Sequence, residues 1–479
     1  MSTWEMKMCR DCLRLKRELH AEKRENKKLR KENKALREEK GCAHRTINEA
    51  PFGSSTPSSK LVIKPGTTEE RQARKGGAKP GHKGTGRKAQ EHRPQRPVEV
   101  VRLSKVCPDC AAELAAAASR TRTLVGCEPP KTFTRTVILE EAWCPCCRKT
   151  IRTQTPEAFP NMLLDNSTLA YVAVEHYLNG VTLGRLAKIT GIAKGTLINA
   201  MHSLARLLKA GHGELQKELR AAAVIFADET TWRNDGANGY AWMFRTYDLV
   251  LYRFCGTRAG TIPEGVLGKL RLSGVLVTDR YAGYNGIEID RQYCYAHLLR
   301  DLQDLEKEFP DTAEVKRFVA ALAPLLADAM ALRRVAKDPA TYRRRAKRLA
   351  CRIRELVSRS ANHAGVQWYQ DIFRKNENKL YHWVKSSDVP PDNNYAESSL
   401  RPTVIARKMS YGSQSVRGAE TREIMMSIIG TIAMRNADPW NAFRETLNRV
   451  AETPPDKRDI AKLLFHPASA EAAAEKIAA

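Results

Sequence analysis

At 479 residues the chain has room for roughly two to four domains, which excludes a miniature scaffold held by disulfides or metal alone. Hydrophobic residues make up 42% and charged residues 28%, so most of it can fold around real cores. Lys plus Arg is 81 against 54 for Asp plus Glu, and the formal net charge of +27 favours a polyanionic partner.

No run approaches the roughly 20 apolar residues that span a bilayer. The most apolar stretch, 424–434, is interrupted by Ser427, Gly430 and Thr431. The charged N-terminus lacks the apolar core of a secretory signal. The expectation is therefore a soluble cytoplasmic, nucleoid-associated protein whose 12 cysteines are thiols or metal ligands, not disulfides.

In chain order, residues 1–42 carry a 3,4 spacing: Met8, Leu15, Leu29 and Leu36 at d, Cys12, Leu19, Asn26 and Asn33 at a. Asn at successive a positions favours a parallel two-stranded coiled coil, and hence a dimer. Glu22 at a d position favours a solvated single helix instead. Residues 43–100 are rich in Gly, Pro, Ser and basic residues, with 26 basic minus 13 acidic, or +13, over residues 1–100. Such a stretch reads as a basic linker. Lys75, Lys79, Lys83, Arg87 and Lys88 would meet DNA phosphates, or simply keep an interdomain tether soluble.

Residues 101–160 hold Cys107-Pro-Asp-Cys110 and Cys144-Pro-Cys-Cys147 amid β-like segments at 133–139 and 150–155. Two such knuckles supply four thiolates in tetrahedral reach, the pattern of a structural zinc ribbon. Cys146 or Cys127 remains an alternative ligand. Residues 161–220 read as helices at 169–178, 183–190 and 194–209, with Gly191 in the turn. This helix-turn-helix would offer Lys194, Thr196, Asn199 and His202 to a major groove, or would be a plain helical scaffold.

From residue 222 the texture becomes strand-like. Residues 223–227 form an apolar run ending at Asp228; a hairpin follows at 239–247 and 250–255, and a helix-length piece at 263–270. Residues 274–278 form another run, ending at Asp279, then a strand at 292–295 enters a helix from 296. Glu397 lies early in a helix after Pro390-Pro391. Asp, Asp and Glu are hard oxygen donors suited to Mg2+ or Mn2+, although an Asp after a strand is often only a cap. Glu229, Asp290, Asp301, Asp392 and Glu420 are possible substitutes.

The motifs Asp228-Glu-Thr-x-Trp232, Thr278-Asp279-x-Tyr-x-Gly-Tyr284, Cys294-x-Ala-His297-x-x-Arg300, Asn393-Asn394-x-Ala-Glu397-x-x-Leu-Arg-Pro402 and Arg407-Lys408 resemble the insertion sequence 66 family of DDE transposases. The Gly76 to Gly84 tract, the CxxC pair and Asn436-x-x-Asp-Pro439 extend the resemblance over most of the chain. Ala78-Lys79 and the additional Cys146 depart from the family pattern, without touching the acidic triad.

The resemblance implies a multidomain α+β protein with a retroviral-integrase-like RNase H core in two parts, 221–309 and 386–450. A helical insertion at 310–385 and a helical tail at 451–479 complete it. It implies that Asp228, Asp279 and Glu397 are catalytic and hold two Mg2+ or Mn2+ ions, and that the partners are double-stranded transposon ends and target DNA. A homodimer or larger synaptic complex and element-encoded accessory proteins are expected with it. His297 would orient a phosphate or a metal-bound water, or be a satisfied core residue. Trp232 would stack on a base or be buried. Arg401, Arg407 and Lys408 would bind phosphates or form ion pairs. The insertion carries 16 basic and 7 acidic residues over 311–380, or +9, which suggests DNA contact or merely solvated helix faces. The alternatives in other classes are a DNA-binding regulator with silent carboxylates and an RNase-H-like nuclease.

Overall fold

A computed structural model of the chain describes residues 19, 22–29, 32, 132–146, 148–152, 155–160, 162–336, 338–453 and 458–465. All belong to one of two compact units; the other, residues 62–131, lies outside the described residues. Outside them too lie the basic residues Lys75, Lys79, Lys83, Arg87 and Lys88, the thiols Cys107, Cys110, Cys127 and Cys147, and most of the proposed coiled coil. Residues 22–29 are helical, with Leu19 and Leu29 exposed.

Of the β-like segments expected at 133–139 and 150–155, the second overlaps an observed strand and the first does not. Residues 132–140 have no regular structure, and an antiparallel hairpin pairs β1 (Glu141–Cys144) with β2 (Lys149–Arg152). Pro145 and Cys146 of the second knuckle lie in the turn after β1, with the Cys146 thiol exposed.

A helical layer follows: α1 (Asn166–Ala173), a π-turn at Val174–Leu178, α2 (Leu183–Thr190) and α3 (Lys194–Ala221). Asp165 and Thr182 cap α1 and α2 by accepting the N–H groups of Thr168 and Arg185. Helix α3 continues well past the expected end at 209. Its buried stripe Leu197, Met201, Leu204, Leu208, Leu215 and Leu219 persists through Gly211, where a Cβ would meet Leu464 Cδ1 at 2.2 Å. Close approach of the C-terminal helix α13 (Ile460–Phe465) therefore explains a glycine inside α3.

The five-stranded sheet comprises β3 (Val224–Asn234), β4 (Ala237–Arg245), β5 (Val250–Cys255), β6 (Val275–Thr278) and β7 (Asp290–Tyr293). Its order is β5-β4-β3-β6-β7, antiparallel from β3 to β5 and parallel from β3 to β7. Strand β3 does not stop at Asp228; pairing with β4 carries it to Asn234. Helix α4 (Thr261–Leu267) leads from β5 to β6, and α5 (Tyr295–Glu308) leaves β7.

After the insertion come α10 (Asn394–Ser410), α11 (Val416–Arg435) and α12 (Pro439–Glu452). Helix α11 covers the edge strand β5. Thr431 Oγ1, Ser427 Oγ and Glu423 Oε2, four residues apart, accept the N–H groups of Val250 (3.1 Å), Tyr252 (2.9 Å) and Phe254 (3.2 Å). Edge N–H groups that would otherwise recruit another strand are thereby satisfied. One hydrophobic core joins the helical layer, the sheet, α10, α11 and α12. The expected boundary near residue 220 thus falls inside a shared core.

A second core belongs to the insertion: α6 (Ala313–Val335), α7 (Pro339–Ser358), α8 (Ala364–Lys375) and α9 (His382–Lys385) pack with α5. Among the described residues no helix is long and apolar enough to cross a membrane.

Candidate active site

Parallel pairing of β3 with β6 sets Val224 beside Val275, Ile225 beside Leu276 and Phe226 beside Val277, an offset of 51. Carried two residues past the last pair, the same offset sets Asp228, within β3, beside Asp279, which follows the end of β6. Both are nearly buried, at 4% and 7% exposure. Each accepts one backbone N–H: Glu229 N donates to Asp228 Oδ1 at 2.8 Å, and Tyr281 N to Asp279 Oδ1 at 3.0 Å. Burial, then the charges of Glu229, Asp279 and Glu397, hold the Asp228 carboxyl well above its ordinary range. Burial and Glu229 push Asp279 up to about 7, against the pull of the Tyr281 N–H, Arg258 and Arg280.

Glu229 faces the other side of the sheet, as strand alternation requires. It is 1% exposed and is bound by Arg258 and by the Tyr284 hydroxyl at 2.9 Å. The other substitutes are accounted for similarly. Asp290 pairs with Arg271 at 2.9 Å, Asp301 with Arg280, and Glu420 is exposed. Asp392 is buried and accepts the Asn394 N–H at 3.1 Å, at the opening of α10.

The third carboxylate comes from α10, whose start is stitched to the strand ends. Asn393 Nδ2 donates to Ala227 O at 2.9 Å, the residue before Asp228. Asn393 N donates to Cys294 Sγ at 3.2 Å, and Tyr295 N to Pro391 O at 2.7 Å. Cys294 follows β7 as Asp279 follows β6, and its N–H reaches Thr278 O at 2.9 Å. Further along α10, buried Arg245 donates to Tyr395 O (3.3 Å) and Ser399 Oγ (2.8 Å), and Tyr252 Oη to Ser399 O (2.6 Å). These ties bracket Glu397, whose Oε1 accepts Arg300 Nη2 at 3.2 Å. Among the described residues no three His, Cys, Asp or Glu side chains form a group that could hold a metal ion.

His297, in the first turn of α5, is 8% exposed with an unpartnered Nδ1. Burial, then Arg300 and Arg280, lower it to about 3, so it is neutral at pH 7. Burial pushes the Cys294 thiol up to about 12, as befits a buried sulfur that accepts the Asn393 N–H.

Three sequence expectations change. Trp232 is 1% exposed, donates to Ser413 Oγ at 3.1 Å and lies under Arg422, so it packs in the core and does not stack on a base. Arg407 is not a free phosphate binder: it donates to Thr230 Oγ1 (3.1 Å) and Thr231 O (2.6 Å), tying α10 to β3. His202 bonds Thr421 Oγ1 at 2.6 Å and so faces α11, not a groove. Arg401, Lys408, Lys194 and Asn199 are exposed, and Thr196 is half-buried. Arg245 and Arg300 went unassigned from sequence, although Arg300 stands three residues after His297, on one helical face.

Residues 161–421, more than half of the chain, match the model of the Transposase IS66 family. Two relatives come from Sinorhizobium fredii (strain NBRC 101917 / NGR234). Uncharacterized protein y4qI is 24% identical over 324 residues, and the match spans 59% of each chain. Uncharacterized protein y4jD is 22% identical over 402 residues, or 75% of this chain and 77% of that one. With parallel strands β3 and β6 leading to Asp228 and Asp279, and the start of the Glu397 helix bonded to Ala227, the chain belongs to the Transposase IS66 family.

Proposed function

We propose that the chain is a DNA transposase of the DDE type, with an RNase-H-like core in which Asp228, Asp279 and Glu397 are the catalytic carboxylates. The observation that carries the reading is the parallel pairing of β3 with β6, whose register, carried two residues further, sets Asp228 beside Asp279. The strand order, three antiparallel then two parallel, supports the fold assignment.

The two aspartates fit a divalent cation, and Glu397, which Arg300 holds in this structure, would join them only on leaving that pair. Two buried carboxylates repel one another without a compensating cation between them, and Asn393 Oδ1 and His297 Nδ1 are buried and unpartnered nearby. Asp228, Asp279 and Glu397 would hold two Mg2+ or Mn2+ ions. What such ions supply when bound is Lewis acidity at the attacking and leaving oxygens of a phosphodiester.

The chain's own groups do the rest. Glu229 and the Tyr281 N–H fix the two aspartates from their backbone sides, through hydrogen bonds at 2.8 and 3.0 Å. Arg300 holds Glu397 ready at the edge of the site and exchanges it for the DNA phosphate on substrate binding. Neutral His297 orients a phosphate oxygen or a water. Arg401 and Lys408, exposed on α10, meet flanking phosphates. Water attacks at the element end to leave a 3′-OH, which then attacks target DNA in line, with no covalent enzyme intermediate.

For the remaining parts we propose a dimer built on the N-terminal coiled coil, able to enter a larger synaptic complex with accessory proteins. A zinc ribbon on Cys107, Cys110, Cys144 and Cys147, with Cys146 or Cys127 as alternative ligands, and Lys194, Thr196 and Asn199 of α3 would hold the transposon end. The experiment is divalent-dependent cleavage of a labelled duplex carrying the element end. Asp228→Asn should lose cleavage by at least a thousandfold while retaining end binding. Cleavage that survives the substitution contradicts the assignment; end binding without cleavage by the unmodified chain favours a regulator.

A further inference from the structure

Helix α7 carries a cationic face that the protein does not neutralise. Its buried stripe, Tyr342, Ala346, Ala350, Ile353 and Val357, recurs at four- and three-residue steps. On the far side Arg344, Arg348 and Arg352 stand one turn apart, flanked by Arg343, Arg345 and Lys347, all exposed. Among the described residues no ion pair engages any of the six. Asp338 at the N-cap accepts the Thr341 N–H at 2.7 Å and feels the charge of Arg344 without forming an ion pair, and Glu355, three residues after Arg352, pairs with Arg359.

Among the described residues, several exposed cations elsewhere in this lobe are paired, although Lys316 and Arg317 of α6 are not. Lys307 pairs with Asp304 (2.6 Å), Arg374 and Lys375 with Asp371 (3.0 and 3.1 Å), and Arg359 with Glu355 (2.7 Å). Even Arg354, on α7 itself, pairs with Glu377 at 2.9 Å. The first turns of α7 instead place like charges at i, i+4, which repel and weaken a helix. A surface that needs only solubility does not concentrate repulsion in this way. A bound polyanion would relieve that repulsion.

The position of α7 identifies that anion. Tyr342 donates to Trp383 O at 2.9 Å and lies in electrostatic reach of Arg333 and Asp388. Arg333 donates to the Tyr247 hydroxyl at 2.9 Å, which in turn bonds Asp388 O. Arg333 and Arg334, the last basic pair of α6, both act on the Asp392 carboxyl, two residues before α10. The basic end of α7 thus begins beside the opening of the Glu397 helix.

We propose that this face of α7 is a DNA-binding site that tracks the phosphates of the duplex leading away from the reacting phosphodiester. From Arg344 to Arg352 the helix rises about 12 Å, which spans between three and four base-pair steps of a duplex. The inference rests on the transposase reading and assigns to it a surface separate from the carboxylates and from the N-terminal DNA-binding elements.

The test compares the full-length chain with two variants of equal charge change. One is Arg344→Gln, Arg348→Gln, Arg352→Gln. The other removes paired cations: Arg359→Gln, Arg374→Gln, Lys375→Gln. Affinity for a labelled duplex carrying the element end is measured across a salt series. The α7 variant should bind at least tenfold more weakly near 0.1 M salt, with a log–log salt slope shallower by about three, while the control keeps the parent slope. Its melting temperature should be unchanged or higher, because i, i+4 repulsion is removed, so weakened binding is not explained by unfolding. Parent-like binding by the α7 variant, or equal losses in both variants, overturns the surface alone. A parent chain that binds no duplex at any salt overturns the transposase reading, and the surface with it.

Discussion

Arg300 and Glu397 meet at 3.2 Å with both side chains partly exposed, so the pair contributes little to stability and is easily exchanged. Exchange is what the account requires of it, because Glu397 cannot serve Arg300 and a divalent ion equally. Arg300→Ala should therefore tighten Mn2+ binding to the DNA-free chain by up to about fivefold, measured calorimetrically, while weakening end binding. Unchanged Mn2+ affinity would show that the pair does not compete with the ion. Among single residues, the carboxylates were legible because each aspartate ends an apolar run and Glu397 follows a Pro-Pro break. Trp232 and Arg407 were not. Their partners Ser413, Thr230 and Thr231 lie more than 170 positions away, and no local pattern announces such contacts.

Helices α10 and α11 hold the sheet by polar ties, each of which makes a prediction. Asn393→Ala leaves Ala227 O without its donor beside Asp228; a loss of about 1–3 kcal/mol in unfolding free energy, read by denaturant titration, is expected, with strand cleavage falling further than DNA binding. Equal loss of both would mean the residue only supports the fold. Ser427→Ala strips the Tyr252 N–H of its acceptor on the edge strand and should cost about the same with no specific effect on chemistry. Gly412 closes α10 at φ +128°, and a Cβ there would sit 2.1 Å from Arg233 O, so Gly412→Ala should separate the end of α10 from β3. Helix α2 and the start of α3 were readable from hydrophobic spacing and Gly191. The far end of α3 and the length of β3 were not, because packing on α13 and pairing with β4 override the local glycine and polar signals.

Across the whole molecule, one core runs from Phe159 to Phe465 and a second fills the insertion. The insertion was legible from the 118 positions between Asp279 and Glu397; the helical layer's merger with the sheet was not, since boundaries in sequence do not show shared cores. The larger core holds His176 neutral: Val181 O accepts Nδ1–H at 2.8 Å, and Nε2 accepts Arg422 Nη2 at 3.1 Å. Burial and then Arg422 lower its pKa to about 3. With the folded value below the unfolded one near 6.5, the unfolded chain takes up the proton first. The contribution is complete above about pH 6.5 and is lost as pH falls towards 3, by up to about 1.4 kcal/mol per pH unit. Stability measured from pH 7 to 5 should therefore fall more steeply for the parent than for His176→Gln; matching slopes would refute the buried neutral state. In the proposed function, Asp228 and Asp279 together perform the DNA chemistry. The most direct test is strand cleavage and joining on a labelled plasmid carrying the native element, with Mg2+ or Mn2+, for the parent and Asp279→Ala. The account predicts joined products with the parent and none with Asp279→Ala, with end binding retained by both; joining that persists in Asp279→Ala would contradict it.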